Sequence, residues 1–289
     1  MAMRVGLQMY SVKESFGKDP MGTMEKVAEL GYRYWEICAF NSSSPYNYGL
    51  DLPVEEAVPF LKRLGVTIIG AHIGEKDLTD DEYLETFFDY QAAIGCLNPG
   101  IDSIFCQTAQ EIREKAELLN KCGRMCKARG MRFHYHNHFH EFQPFEGKLM
   151  LDHILDNTDP ELVDFELDTY WALRGGQDPV QLIDRYGGRI CMLHQKDLPE
   201  KYHGPLNLFD GFHDPAVPVR GWEDFHPDRK EDFVEVGTGI MDIQSIIDAG
   251  NRKNIPYITL EQDATKLDEI ESVALSMASF RKYRGIQWD

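Results

Sequence analysis

"PMGTMEKVAELGYRYWEIC", Pro20 to Cys38, holds one complete structural unit. Pro20 suits a first helical turn, apolar residues recur at helical spacing, and Gly31 suits a C-terminal cap. "YRYWEIC", Tyr32 to Cys38, then has the aromatic and β-branched character of a strand. Working outward, the same unit recurs. Strand-like runs are Arg4 to Tyr10, Tyr32 to Cys38, Val66 to His72, Ile101 to Cys106, Met131 to His138, Leu162 to Asp168, Arg189 to Lys196 and Pro256 to Glu261. Between them lie amphipathic stretches such as "PVEEAVPFLKRLG", which Pro59 should kink, and "AQEIREKAELLNKCGRMCKARG". Eight alternations of β and α predict the α/β class and a single (β/α)8 TIM barrel spanning residues 1–289, strands parallel inside and helices outside. A doubly wound open sheet is the competing arrangement, but "GLQMYSVKESFG" after the first strand contains no GxGxxG.

The chain has 289 residues, 43% hydrophobic and 27% charged, with no apolar run approaching the roughly 18–20 residues that span a bilayer. The start "MAMRVGLQMYSV" lacks an export signal, so a cytoplasmic protein without a membrane partner is expected. A net charge of −18 repels a polyphosphate backbone and argues against nucleic acid. Six cysteines form no CxxC; Cys122 and Cys126 fit one helix face, and reduced thiols are expected. After the seventh strand the barrel pattern is interrupted by a long loop, Leu198 to Phe233. Its Tyr202, Phe209, Phe212 and Trp222 are too many aromatics for a solvated linker. It is expected to cover the barrel mouth or to contact another subunit of a homo-oligomer.

In a barrel of this kind the chemistry occupies the C-terminal ends of the strands. Polar groups gather there: Gln8 and Tyr10, Glu36, His72, His136 and His138, Asp168, His194 and Lys196, and Glu261. "RFHYHNHFHEF", Arg132 to Phe142, is the densest case. His134, His136, His138 and His140 share one parity, so an extended run would put all four imidazoles on one face. Asp168 also suits the N-cap of a following helix, Glu261 a solvated loop carboxylate, and Lys196 a surface ion pair with Asp197. Convergence of Asp, His and Glu from three adjacent strand ends weakens those readings. It suits Mn²⁺, Zn²⁺, Co²⁺ or Fe²⁺ better than Ca²⁺ or a largely hydrated Mg²⁺.

"YHNHFHEF", "ELDTYW", "LHQKD", "VGTGIMDI" and "LEQD" resemble the xylose isomerase-like barrels, the sugar phosphate isomerases/epimerases, a group that also contains ketose 3-epimerases, inosose dehydratase and endonuclease IV. The resemblance covers nearly the whole chain. It implies a divalent metal, Mn²⁺ first, held by a fifth-strand carboxylate, an Asp at the sixth strand, a His at the seventh and a Glu at the eighth. Asp168, His194 and Glu261 match the last three. For the first, Glu141 folding back from its loop is favoured, with His136 and His138 beside the substrate; replacement of the carboxylate by one of those histidines is the other assignment. Trp171 stands where epimerases often carry a histidine, and offers a wall for a sugar ring.

What the resemblance implies is an isomerase or epimerase acting on a keto-sugar or related polyol through an enediolate, with Glu261, His136 and His138 as acid–base candidates. Gln8, Tyr10, Glu36, His72, Trp171 and Lys196 are expected around a small carbohydrate substrate. The alternative is a metal-dependent dehydratase or lyase on a keto-inositol or 3-keto-glycoside. A non-catalytic sugar-binding module and an abasic-site endonuclease complete the field, the latter opposed by the charge and by the missing histidine. "VGTG", Val236 to Gly239, offers backbone N–H groups to a phosphate.

Overall fold

Pro20 opens a helix whose Asp19 cap accepts the Gly22 N–H at 3.0 Å, and Gly65 closes the next one in the left-handed region at φ 66°. These start and stop signals, repeated along the chain, set the element order in a computed structural model that describes residues 2–39, 44–224 and 229–288. The strands are β1 (Arg4–Gln8), β2 (Tyr34–Cys38), β3 (Thr67–Ile73), β4 (Asn98–Ile101), β5 (Phe133–His136), β6 (Pro144–Phe145), β7 (Lys148–Leu149), β8 (Val163–Asp168), β9 (Ile190–Gln195) and β10 (Tyr257–Leu260). The helices are α1 (Lys13–Lys18), α2 (Pro20–Glu29), α3 (Val54–Leu64), α4 (Asp81–Ala93), α5 (Ala109–Lys127), α6 (Met150–Asn157), α7 (Thr169–Arg174), α8 (Pro179–Tyr186), α9 (Ile243–Arg252) and α10 (Glu269–Phe280).

Eight strands close into a parallel barrel in the order β1-β10-β9-β8-β5-β4-β3-β2, while β6 and β7 form a small separate hairpin. The sixth, seventh and eighth barrel strands are therefore β8, β9 and β10. Apolar residues facing outward from the strands, such as Ile37, Ile68, Phe133 and Phe165, meet the inner stripes of the helices in one continuous core. Cys122 and Cys126 lie buried on one face of α5, and all six cysteines are free thiols. Among the described residues no helix is long and apolar enough to cross a membrane.

Two expectations are corrected. The fourth strand is Asn98–Ile101, several residues before the expected Ile101 to Cys106. Its "NPGI" carries turn-forming residues, yet Gly100 pairs with His72 on one side and His134 on the other. The fifth strand ends at His136, and the chain then turns through a 3-10 segment at His140–Phe142. Only His134 and His136 thus share the strand face; His138 and His140 belong to the mouth.

The long loop after β9 packs on that mouth. Leu198, Leu208, Val219 and Phe233 join Phe105, Phe139, Tyr170 and Trp171 in a second apolar cluster. The buried Arg174 guanidinium donates to the Tyr202 hydroxyl at 2.6 Å, and Gln143 bonds the Val217 carbonyl and Val219 N–H at 2.8 and 3.1 Å. The "VGTG" N–H groups are directed elsewhere than at a ligand: those of Gly237 and Gly239 both donate to the Asp197 carboxylate at 3.0 Å.

Gly123 of α5 lies against the entry to β8, where an added Cβ would stand 2.7 Å from the Leu162 carbonyl oxygen and 2.8 Å from its Cβ. Gly123→Ala gains about 1 kcal/mol of helix propensity but overpacks backbone, which costs about 1–3 kcal/mol. A lower urea midpoint is expected; an unchanged or higher one would show that α5 can shift.

Candidate metal centre and active site

Parallel register brings the chemistry together. Asp168 pairs with His194, His136 with Glu166, and Gln8 with Glu36. At the upper level, His136, Asp168, His194 and Glu261 each offer a ligand atom, all within 4.8 Å of one another. His194 Nδ1 is 2.9 Å from Glu261 Oε2, and His136 Nε2 is 3.9 Å from Asp168 Oδ2. Lys196 lies between the carboxylates, its Nζ 2.5 Å from Asp168 Oδ2 and bonded also to Glu261. Asp168 performs both duties foreseen for it: Oδ1 accepts the Trp171 N–H at 2.7 Å as the N-cap of α7, and Oδ2 faces the ring.

The donor set fits a divalent ion. It combines two imidazole nitrogens with two carboxylate oxygens. The second nitrogen of each imidazole is engaged by a carboxylate below, as metal-binding histidines require. His136 Nδ1 is 3.0 Å from Glu166 Oε2, and His194 Nε2 is 2.5 Å from Glu36 Oε2 and 2.9 Å from Glu166 Oε1.

The electrostatics follow from burial and close pairing. Burial raises Glu261, but Lys196 and His194 overcome this and hold its carboxyl well below the usual range. Burial works against the Lys196 ammonium, while Asp168, Asp263 and Glu261 raise it well above an ordinary lysine. Burial, reinforced by His136, His140 and Lys196, pushes His138 well down, so its imidazole is neutral at neutral pH. His138 and Lys196 flank the same indole: the His138 ring is centred 5.7 Å from that of Trp171, and Lys196 Nζ lies 5.9 Å over it. Trp222 stands edge-on to His138 at 5.2 Å and to Phe105 at 5.1 Å, completing an aromatic rim.

Other expected residues lie elsewhere. Glu141 stays outside the ring: it accepts from the Tyr135 hydroxyl at 2.6 Å and the His138 N–H at 2.8 Å, and His136 occupies the fifth-strand position instead. Gln8 is buried and donates to Glu36 at 2.9 Å, so it orients that carboxylate. Glu36 and His72 sit one level deeper, with His134 and Glu166. Tyr10 lies under the Lys13 ammonium, 3.6 Å from the ring centre. Glu166 is the residue that sequence reasoning passed over. In "FELD" it shares the parity of Asp168, and that signal places it on the same inner face.

A family described as xylose isomerase-like TIM barrel matches residues 24–283. The chain belongs to the xylose isomerase-like TIM barrel family. Among curated relatives of this family member, an inosose dehydratase from Geobacillus kaustophilus is 37% identical over 202 residues, covering 61% of each chain. An inosose dehydratase from Clostridium perfringens is 26% identical over 180 residues, covering 60% of this chain and 55% of that one. The chain thus spans between half and two thirds of the length of these two curated relatives. A sugar phosphate isomerase/epimerase structure from Parabacteroides distasonis superposes with a TM-score of 0.76, at 21% identity over 99% of this chain and 100% of that one. The IOLI protein with a binding zinc atom gives 0.72, at 15% identity over 96% of each. Both support the fold.

Proposed function

We propose that this protein is a metal-dependent dehydratase acting on a polyhydroxylated cyclic ketone of the inosose type. The observation that carries the reading is the pair flanking Trp171, a neutral imidazole at His138 and an ammonium at Lys196. Loss of water from a β-hydroxy ketone needs one group to accept the α-proton and another, already protonated, to assist the departing hydroxyl. Environments that push two titratable groups apart define such acid and base roles. Epimerisation instead returns a proton to the opposite face of the same carbon and leaves the neighbouring hydroxyl in place, so it has no use for a donor at a leaving oxygen. The inosose dehydratase relatives support the same choice, which displaces the isomerase or epimerase reading from first place.

A divalent ion held by His136, Asp168, His194 and Glu261 would supply Lewis-acid polarisation of the ketone and its neighbouring hydroxyl. The zinc of the IOLI protein supports a metal on this fold; Mn²⁺, Zn²⁺ and Co²⁺ all suit the donors. His138 accepts the α-proton on its imidazole. Lys196, from beside Asp168 and Glu261, gives a proton to the leaving oxygen as the C–O bond breaks, so the hydroxyl departs as water, and the α-proton held by His138 balances the proton that Lys196 has given up. Trp171 and Trp222 provide flat apolar walls for a carbon ring, and the cover after β9 keeps bulk water from the carbanion.

Incubation with 2-keto-myo-inositol and Mn²⁺ or Co²⁺ should yield the dehydrated diketone, followed by its ultraviolet absorbance, and His138→Asn should lower the rate about 100-fold or more. Deuterium exchange and epimer formation without loss of water would sink the dehydratase reading.

A further inference from the structure

One level beneath the metal ring the barrel carries a second polar group with its own geometry. Glu36, His72, His134 and Glu166 come from β2, β3, β5 and β8, and all four are buried. His134 and Glu166 stand two residues before His136 and Asp168, about 6–7 Å deeper along their strands. Four atoms converge: His72 Nε2, His134 Nε2, Glu36 Oε1 and Glu166 Oε2. His72 Nε2 is 3.1 Å from His134 Nε2, 3.1 Å from Glu36 Oε1 and 3.0 Å from Glu166 Oε2. His134 Nε2 is 3.5 Å from Glu36 Oε1 and 3.3 Å from Glu166 Oε2. Those are five of the six edges of a tetrahedron. A zinc-type ion with bonds of about 2.0–2.1 Å has ligand–ligand edges of about 3.3–3.4 Å.

Hydrogen bonding accounts for part of this arrangement, as between His72 Nε2 and Glu166 Oε2, but not for all five contacts. Each Nε2 has one position, either a proton or a lone pair, so two imidazoles contribute at most two directed N–H groups to five contacts. Glu36 Oε1 is fully buried, aimed into the group, and makes no hydrogen bond of acceptable geometry. The backbone has also been cleared for these atoms. A Cβ on Gly70 would stand 2.3 Å from Glu36 Oε1, and one on Gly100 would stand 2.3 Å from His134 Nε2. The other carboxylate oxygens serve the upper level: Glu36 Oε2 takes Gln8 and His194, and Glu166 Oε1 faces His194, while Glu166 Oε2 uses one lone pair on His136 Nδ1 at 3.0 Å and has a second for the lower group.

We propose that Glu36, His72, His134 and Glu166 form a second, structural divalent-cation site of tetrahedral zinc type beneath the metal ring. A cation at its centre satisfies all four converging lone pairs together and neutralises two buried carboxylates. The site is independent of the dehydratase reading, because it is tested by counting ions and not by turnover.

The test is zinc and cobalt stoichiometry on the full chain, stripped with chelator, reloaded and gel-filtered. Wild type should retain about two equivalents, and Asp168→Asn/Glu261→Gln, which loses two donors of the ring, about one. With Co²⁺ that remaining equivalent should show the intense visible bands of tetrahedral coordination. His72→Asn should lose one equivalent and keep the ring ion. A wild-type chain retaining no ion overturns the proposal, as does a His72→Asn chain that retains as many equivalents as the wild type. Those two outcomes decide the matter even if the double variant fails to fold.

Discussion

Asp168→Asn is expected to weaken divalent-ion binding at the upper ring at least about a hundredfold and to reduce turnover of an inosose by a similar or larger factor. Asparagine keeps the size of the side chain and an oxygen with which to accept the Trp171 N–H, so the cap of α7 survives. What it removes is the negative oxygen facing His136 and Lys196. Lys196 still has Glu261 and Asp263 nearby, the latter at 3.6 Å, so the fold should hold. Calorimetric titration with Mn²⁺ gives the affinity, and a rate measured at saturating metal separates weak binding from lost chemistry. Wild-type affinity in a folded variant would remove Asp168 from the centre.

Lys196→Met should be the most damaging substitution in metal-free protein. Methionine nearly matches the stem but leaves Asp168 and Glu261 facing one another without a cation. Breaking a buried ion pair in this way costs about 3–5 kcal/mol. A divalent ion in the ring supplies the missing charge, so Mn²⁺ or Zn²⁺ should return most of that stability and raise the variant's melting temperature far more than the wild type's. Turnover should stay low after rescue, because the donor to the leaving oxygen is gone. Equal stability losses with and without metal would show that Lys196 and the ion do not share the two carboxylates.

Much of this was legible in the chain. Helix-stopping glycines and short strand-like runs revealed the eight-fold repeat, and Asp168, His194 and Glu261 stood out because each polar residue ends an apolar run. The errors have local physical causes. "NPGI" looks like a turn, and only its neighbours explain why it is a strand: any side chain at Gly100 would strike His134. Parity assumed that the histidine tract stays extended, whereas the backbone leaves the sheet at His136. Glu141 looked like a ligand because it is the nearest carboxylate in sequence, but the Tyr135 hydroxyl and the His138 N–H hold it away. Glu166 was hidden by Asp168 two residues on, and its role appears only once four histidines from β3, β5 and β9 are seen around it.

The aromatic cover over the mouth bears on how a barrel like this one can diverge. Inside, positions on β2, β3, β5, β8 and β9 are committed to two interlocked polar levels, where Glu36 and Glu166 each serve both. A substitution there disturbs several partners at once, so drift in that region should be slow and mostly lethal. Trp222 is half exposed at the rim, on a segment held to the barrel by one apolar cluster and by bonds such as those of Gln143 and Arg174, and not by the polar levels inside. New substrate preferences should therefore arise by remodelling the cover while the interior stays fixed. Grafting the corresponding loop from a relative is accordingly a more promising route to altered selectivity than mutating the strands.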